Sequence, residues 1–125
     1  MITLTSENVK FLHKLLTDAT GGDCNLRDYS LLDSAVKSAY QTFLGEELYP
    51  TIEEKGARLG FSLISNHAFV DGNKRIGILT MLTFLEINGV KLNATNDDII
   101  KIGLGVASGK MGYEELLQFI LDNKF

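Results

Sequence analysis

Residues 67–88 read HAFVDGNKRIGILTMLTFLEIN, and this stretch decides the fold of the chain. From about Asn73 to Asn88 its apolar residues fall nearly all round a helical wheel: Ile76, Ile78, Leu79, Met81, Leu82, Phe84, Leu85 and Ile87. A helix that is apolar on every side is normally buried among other helices. Gly89 follows it and predicts a left-handed stop. The stretch therefore predicts the central helix of a helical bundle.

Helical periodicity on both sides of this stretch predicts five further helices. The first begins at Thr5 or Ser6, stops at Gly21-Gly22-Asp23 and has an apolar face of Val9, Leu12, Leu15, Leu16 and Ala19. The second starts near Leu31 and has a face of Leu32, Ala35, Val36, Ala39, Tyr40 and Phe43. The third starts at a capping box, Thr51 to Glu54, and has an inward stripe of Ile52, Gly56, Leu59, Gly60 and Leu63.

The last two helices run from near Asn96 to about Ala107 and from Tyr113 to Leu121. Little strand alternation is visible anywhere in the chain. Two glycines on one face of the third helix, Gly56 and Gly60, would let another helix approach closely. The predicted fold is all-α, a compact bundle around one central buried helix, and residues 1–125 form a single domain.

Composition narrows the class of protein. The formal net charge is −4 and the pI is about 5.1, which argues against direct nucleic-acid binding because that needs a concentrated basic face. Cys24 is the single cysteine, and a reducing compartment suits it. The first residues lack the basic and apolar regions of a signal peptide, and no apolar run is long enough for a bilayer. We therefore expect a cytoplasmic protein without a membrane segment.

Two cations at the start of the central helix suggest a phosphate site. Lys74 and Arg75 lie at the positive end of the helix dipole, where cations are unfavourable by roughly 0.3–1 kcal/mol each. An acidic ligand would resolve that conflict, since helix-start amides together with Lys and Arg bind phosphate well. Ion pairs with Asp71, Glu53 or Glu54 are the structural alternative, and the two cations alone do not decide between them.

The residues just before these cations could supply the chemistry. Asp71 could carry Mg²⁺, although a helix cap is the simpler role for it and for Asn73. Gly72 allows a ligand to approach the backbone or the chain to take positive φ. His67 extends the inward stripe of the third helix by four residues, and beside these groups it is a candidate general base. Two other aromatic rings have simpler predicted roles: Phe69 anchors the loop in the core, and His13 is solvated.

The ungapped motif His67-x-Phe69-x-Asp71-Gly72-Asn73-Lys74-Arg75 resembles the signature of the Fic superfamily, and more closely that of its Doc (death-on-curing) toxin branch. The resemblance implies roles for these residues. His67 would be the general base, Asp71 would hold Mg²⁺, and the amide of Gly72 would line the loop. Asn73, Lys74 and Arg75 would bind and polarise the phosphates of ATP.

Two positions favour phosphate transfer over AMP transfer within that superfamily. AMP-transferring Fic enzymes have glycine where this chain has Lys74, and a second arginine where it has Ile78. Doc-type proteins share both changes. The resemblance therefore implies that ATP binds in the opposite orientation to that in the AMP-transferring enzymes and gives its γ-phosphate to a protein hydroxyl. Gly72 is the residue of the AMP-transferring enzymes, so AMP transfer remains an alternative. A catalytically idle, antitoxin-binding regulatory module is a third.

The resemblance also implies partners. The family's target is elongation factor Tu, phosphorylated on a threonine, and its antitoxin is a small protein whose disordered part folds as a helix into a surface groove of the toxin. The segment from Thr42 to Ile52 occupies the place of the flap that docks the target; an ordinary interhelix loop with buried apolar anchors is the alternative. The function expected from sequence is thus that of a toxin kinase that blocks translation.

Overall fold

The computed structural model describes all 125 residues and contains six helices and one short hairpin. In chain order the elements are α1 (Ser6–Thr20), α2 (Tyr29–Ser38), β1 (Thr42–Phe43), β2 (Glu46–Glu47), α3 (Ile52–Asn66), α4 (Asn73–Ile87), α5 (Asn96–Ala107) and α6 (Tyr113–Asn123). The prediction of an all-α bundle is confirmed. None of the helices is long and apolar enough to cross a membrane.

Helix α4 is the central element, as its composition predicts. It packs against α1, α3 and α5, and Ile76, Met81 and Phe84 are completely buried. The closest neighbour of α4 is α3. A Cβ atom added to Gly56 would lie 2.7 Å from Leu85 Cδ2, so this glycine allows the two helices to approach as predicted.

The buried face of α1 differs from the predicted one. Leu15 is half exposed, whereas His13 is fully buried and Thr17 nearly so. The two polar residues lie inside because both find hydrogen-bond acceptors there: His13 bonds to Asp71 O, and Thr17 Oγ1 donates to Lys14 O. The prediction of a solvated His13 was therefore wrong.

The second helix is shorter than its apolar periodicity suggests. It ends at Ser38, and Phe43 lies in a two-residue strand that pairs with the next strand in antiparallel register, Phe43 opposite Glu46. The two residues between the strands, Leu44 and Gly45, both have positive φ, 52° and 83°. That combination is typical of the tight turn that joins twisted strands, and Gly45 is the sequence signal for it.

Candidate functional site

His67 lies just beyond the end of α3. It is the C-terminal cap, with φ 52° and ψ 45°, and its side chain is exposed. The prediction that it continues the inward face of α3 was wrong, because the left-handed backbone takes it off the helical series after Asn66. The imidazole is thereby presented to solvent at the edge of the motif loop, in an open rather than a deep site.

The loop from His67 to Gly72 is held by the segment between α1 and α2. Arg27 N and Val70 N donate to Ala68 O at 2.8 Å and to Asn25 O at 3.1 Å, and Leu26 forms an antiparallel bridge with Phe69. Arg27 also donates from Nε to His67 O at 2.8 Å. These bonds fix the backbone that carries the histidine.

Asn73 closes the loop from the other side. Its side-chain oxygen accepts from Phe69 N and its amide nitrogen donates to Phe69 O, both at 3.0 Å. Asn73 therefore does not cap α4, which was its alternative role, and its amide group is used within the loop. Phe69 itself is buried, as predicted for the loop anchor.

The start of α4 has no side-chain cap. Gly72 is the N-terminal cap in the left-handed region, with φ 79° and ψ 19°, so the predicted alternative of Asp71 as the cap is not observed. The amides of Gly72, Asn73, Lys74 and Arg75 donate to no acceptor within the chain. Four free amides at the positive end of a helix are an anion-binding arrangement.

Lys74 and Arg75 have no carboxylate partner. Arg75 is within 3.5 Å of Thr20 Oγ1, and Glu53 pairs with Lys124 instead, at 2.6 Å. That ion pair holds the pKa of Glu53 below its usual value. The predicted alternative of internal ion pairs at these two cations is therefore not observed. Both cations are exposed at the uncapped start of α4.

Cavities lie on both sides of this helix start. One, of about 210 Å³, is lined by Lys74, Arg75, Ile78, Ile99, Ile100 and Gly103. The other, of about 380 Å³, is lined by Arg27, His67, Phe69, Val70 and Asn73. Asp71 is exposed beside the Gly21–Cys24 loop, where a Cβ on Gly22 would come 2.8 Å from its Oδ2. The carboxylate accepts no hydrogen bond or ion pair and is free for a ligand.

Two residues at the site were missed by the sequence reasoning. Arg27 adds a cation beside His67, and His13 lies directly under the loop, where its ring stacks on Phe69 with centroids 3.8 Å apart. No local pattern reveals either one, because their partners lie 40 and 58 residues away in sequence. The site therefore gathers an imidazole, a carboxylate, three cations and free amides around one short loop.

The segment from Thr42 to Ile52, which leads into α3, is anchored by a buried lysine. Lys55 is 1% exposed; its Nζ donates to Tyr49 O and lies 3.2 Å from Glu47 Oε1. The tip of the hairpin is apolar and open, with Phe43 66% and Leu44 89% exposed. The predicted alternative of buried apolar anchors is therefore not observed at the tip.

Comparison with known proteins agrees with the motif. A family model described as the Fic/DOC family matches residues 3–85, more than half of the chain. A curated relative named Toxin Doc, from Mycolicibacterium smegmatis, is 49% identical over 79 residues, which are 63% of this chain and 61% of the relative. The match thus spans less than two thirds of that relative's length. The predicted membership of the Fic superfamily and its Doc branch is confirmed, and the chain belongs to the Fic/DOC family.

Proposed function

We propose that this protein is a Doc-type toxin that transfers the γ-phosphate of ATP to a Ser or Thr hydroxyl of a translation factor of the elongation factor Tu type. The observation that carries the proposal is the exposed His67 beside an uncapped helix start with two unpaired cations. The printed name of the relative, Toxin Doc, supports a toxin with an antitoxin partner. Blocked translation would be the outcome of the modification.

The phosphates of ATP fit the start of α4. The free amides from Gly72 to Arg75 offer hydrogen bonds to phosphate oxygens, and Lys74 and Arg75 supply charge. Bidentate binding by Arg75 would hold two oxygens of one phosphate in a fixed orientation. Asn73 uses its side-chain amide for two hydrogen bonds to the Phe69 backbone, so it would shape the loop rather than bind the phosphates directly.

Asp71 fits as the holder of Mg²⁺. Its carboxylate is free, and Mg²⁺ in phosphate-transfer sites is usually held by one or two carboxylates together with substrate phosphate oxygens. No group of three or more His, Cys, Asp or Glu side chains converges here, so phosphate oxygens and water would complete the coordination. The metal would supply charge neutralisation on the phosphates.

His67 fits as the general base. Its exposed imidazole accepts the proton of the target hydroxyl while that oxygen bonds to the γ-phosphorus; the bond to the bridging oxygen breaks and ADP leaves. A positioned base contributes roughly 10²–10⁴-fold. The remainder of the rate enhancement comes from positioning and charge, because phosphoryl transfer needs no covalent chemistry by the protein.

Lys74 favours γ-phosphate transfer over AMP transfer. Its stem lies against α5, 3.6 Å from where a Cβ on Gly103 would be, and Ile78 Cγ1 lies 3.3 Å from the same point. The lysine stem thus narrows the space between α4 and α5 beside the start of α4. Ile78 also places an aliphatic side chain where AMP transfer would need a second arginine. Both features disfavour the phosphate arrangement of AMP transfer.

The flap suits the docking of a protein target. Leu44 keeps a left-handed backbone at a cost of about 1–2 kcal/mol, and its side chain is almost completely exposed. Because the side chain is exposed, its packing does not offset this backbone cost. An apolar tip on an anchored hairpin is suited to insertion into a target surface next to the hydroxyl that is modified.

An antitoxin that binds by a helix in a surface groove fits the outer apolar residues. Phe11 and Leu15, one turn apart on α1, are 64% and 50% exposed. Neither is used by the core or by the motif loop. An amphipathic helix of the antitoxin could pack its apolar face against these two side chains.

Isotope transfer tests the reaction. The protein is incubated with purified elongation factor Tu and with ATP labelled on either the α- or the γ-phosphate. Label from γ alone on the factor is the expected result. Label from α would replace the proposal by AMP transfer, and no label from either would support an idle binding module.

Substitutions sharpen the assignment of residues. His67→Ala should abolish transfer without lowering the melting temperature, because the side chain is exposed; Ser65→Ala, an exposed change in the preceding turn, is the control. Full activity of His67→Ala would remove it as the base. Lys74→Gly should lower γ-transfer and admit some α-transfer, whereas Lys74→Met, which keeps the stem, should lower γ-transfer alone.

A further inference from the structure

His13 is the one fully buried histidine, and the proposed phosphate transfer does not use it. It lies on α1 at 0% exposure, with its ring stacked on Phe69 at an interplanar angle of 17°. Its Nε2 lies 2.8 Å from Asp71 O, and its Nδ1 is buried with no partner. Packing alone would be served better by an apolar ring, because the unpartnered nitrogen costs free energy.

The hydrogen bond fixes the tautomer of the ring. A carbonyl oxygen can only accept, so Nε2 carries the proton and donates to Asp71 O. Nδ1 is buried and has no hydrogen-bond partner within the chain. The single polar contact of His13 is therefore spent on the backbone of the motif loop.

That contact sets the direction of the amide that follows. The chain has no cis peptide bond, and in a trans peptide the C=O and N–H groups point in opposite directions. With Asp71 O directed at α1, the amide of Gly72 points away from α1. It donates to nothing within the chain and is the first of the four free amides before and within the first turn of α4.

The opposite orientation of this peptide is a real competitor. Gly72 tolerates both signs of φ, so rotation of the 71–72 peptide meets little steric resistance on its side. A rotated peptide would turn the Asp71 carbonyl oxygen outward and withdraw the Gly72 amide. An oxygen dipole facing the phosphates would repel them.

We propose that His13 is a positioning residue for phosphate transfer: its Nε2–H holds the 71–72 peptide so that the Gly72 amide faces the anion. This inference rests on the proposed function. His13 touches neither ATP nor the target and acts through the loop alone. A second distance shows how closely His13 approaches this peptide: a Cβ on Gly72 would come 3.4 Å from His13 Nε2.

Two substitutions separate the hydrogen bond from the packing. His13→Phe keeps a flat ring against Phe69 and removes the donor, whereas His13→Gln keeps an N–H donor at similar reach and loses the ring. Thr17→Val is the matched control, because it removes a buried polar group from the same face of α1 and its hydroxyl bonds only to Lys14 O. Melting temperature and kcat for γ-phosphate transfer are measured for all three.

The expected orders of stability and activity are opposite. His13→Phe should be the more stable of the two His13 variants, yet its kcat should fall about tenfold or more, because the lost hydrogen bond no longer holds the 71–72 peptide with the Gly72 amide towards the phosphates. His13→Gln should melt lower and recover most of the activity at a temperature where it is folded. Thr17→Val should transfer at the wild-type rate. Activities that follow stability would overturn the proposal.

A second measurement is independent of transfer. Inorganic pyrophosphate is titrated into ¹⁵N-labelled protein, and the Gly72 amide resonance is followed in wild type and in His13→Phe. The Gly72 resonance should shift in wild type and respond at least tenfold more weakly in the variant. Equal responses, or a ¹⁵N spectrum with the His13 proton on Nδ1, would overturn the role of His13. A wild-type protein that binds pyrophosphate at Gly72 but transfers no label would overturn only the proposed function.

Discussion

Replacement of Gly77 by alanine tests the contact between α3, which is capped by His67, and α4, which has Lys74 and Arg75 in its first turn. Gly77 lies on α4 against α3, and an added Cβ would come 2.5 Å from Ile64 Cγ1, 2.9 Å from Gly60 O and 3.2 Å from Ile64 N. Two of these three atoms are backbone and cannot turn aside. Alanine therefore forces the helices apart, although in an open helix it would be favoured over glycine by about 1 kcal/mol.

The expected net effect is a loss of stability. Overpacking costs about 1–3 kcal/mol, and two close backbone contacts favour the upper half of that range. Helix propensity offsets about 1 kcal/mol, so the free energy of unfolding should fall by about 1–2 kcal/mol. For a domain of this size the melting temperature should fall by about 4–8 °C. Urea unfolding followed by circular dichroism gives the free energy of unfolding from its midpoint and slope, and thermal unfolding gives the melting temperature.

Gly105→Ala in α5 is the matched control. The atoms nearest to its added Cβ all belong to the side chain of Met111, the closest being Sδ at 2.6 Å. A methionine side chain can rotate away, so this variant should lie within about 0.5 kcal/mol of wild type or above it. If Gly77→Ala proves as stable as Gly105→Ala, the close packing of α3 on α4 is refuted.

Three further predictions concern the flap, a tyrosine and the added cation. Lys55→Met removes the buried partner of Glu47, so amides in residues 42–47 should exchange hydrogen faster while the other helices keep their protection. Burial first, and then neighbouring negative charge, raises the pKa of Tyr113 to about 12. The stabilisation by the protonated tyrosine is therefore present below pH about 10 and is lost as the pH rises towards 12. A titration of tyrosinate absorbance, with Tyr113→Phe as control, measures this pKa. Arg27→Ala removes the donor to the carbonyl of the motif histidine and should lower γ-phosphate transfer about tenfold, whereas Arg27→Lys, which keeps the charge and loses the fork, should restore only part of it.

Most helix boundaries follow from local signals that the structure confirms. Thr5, Thr51 and Thr95 each accept from the backbone of the third helical residue, so sequence positions near the start of three helices carry their own caps. The central helix is recognisable because its apolar residues leave no polar face. Local chemistry is sufficient for such features, since their partners are within four residues.

The remainder depends on contacts that are distant in sequence. The periodicity through Tyr40 and Phe43 continues a helix on paper, but Gly45 and the hairpin end it. His67 fits the spacing of α3, and only the left-handed backbone after Asn66 removes it from that face. The polarity of His13 predicts a solvated side chain, because its acceptor, Asp71 O, lies 58 residues away in sequence.

The pairing of Asn25–Arg27 with the motif loop has a consequence for how the protein comes into being. The segment that shapes the loop precedes it by about 40 residues, so it leaves the ribosome several seconds earlier at roughly 5–20 residues per second. The template is then already outside when the motif emerges, but it acts only after α3 and α4 bring the two segments together. A nascent chain thus carries the complete motif before the loop has its folded geometry. The geometry of the motif loop therefore exists only once the chain has folded.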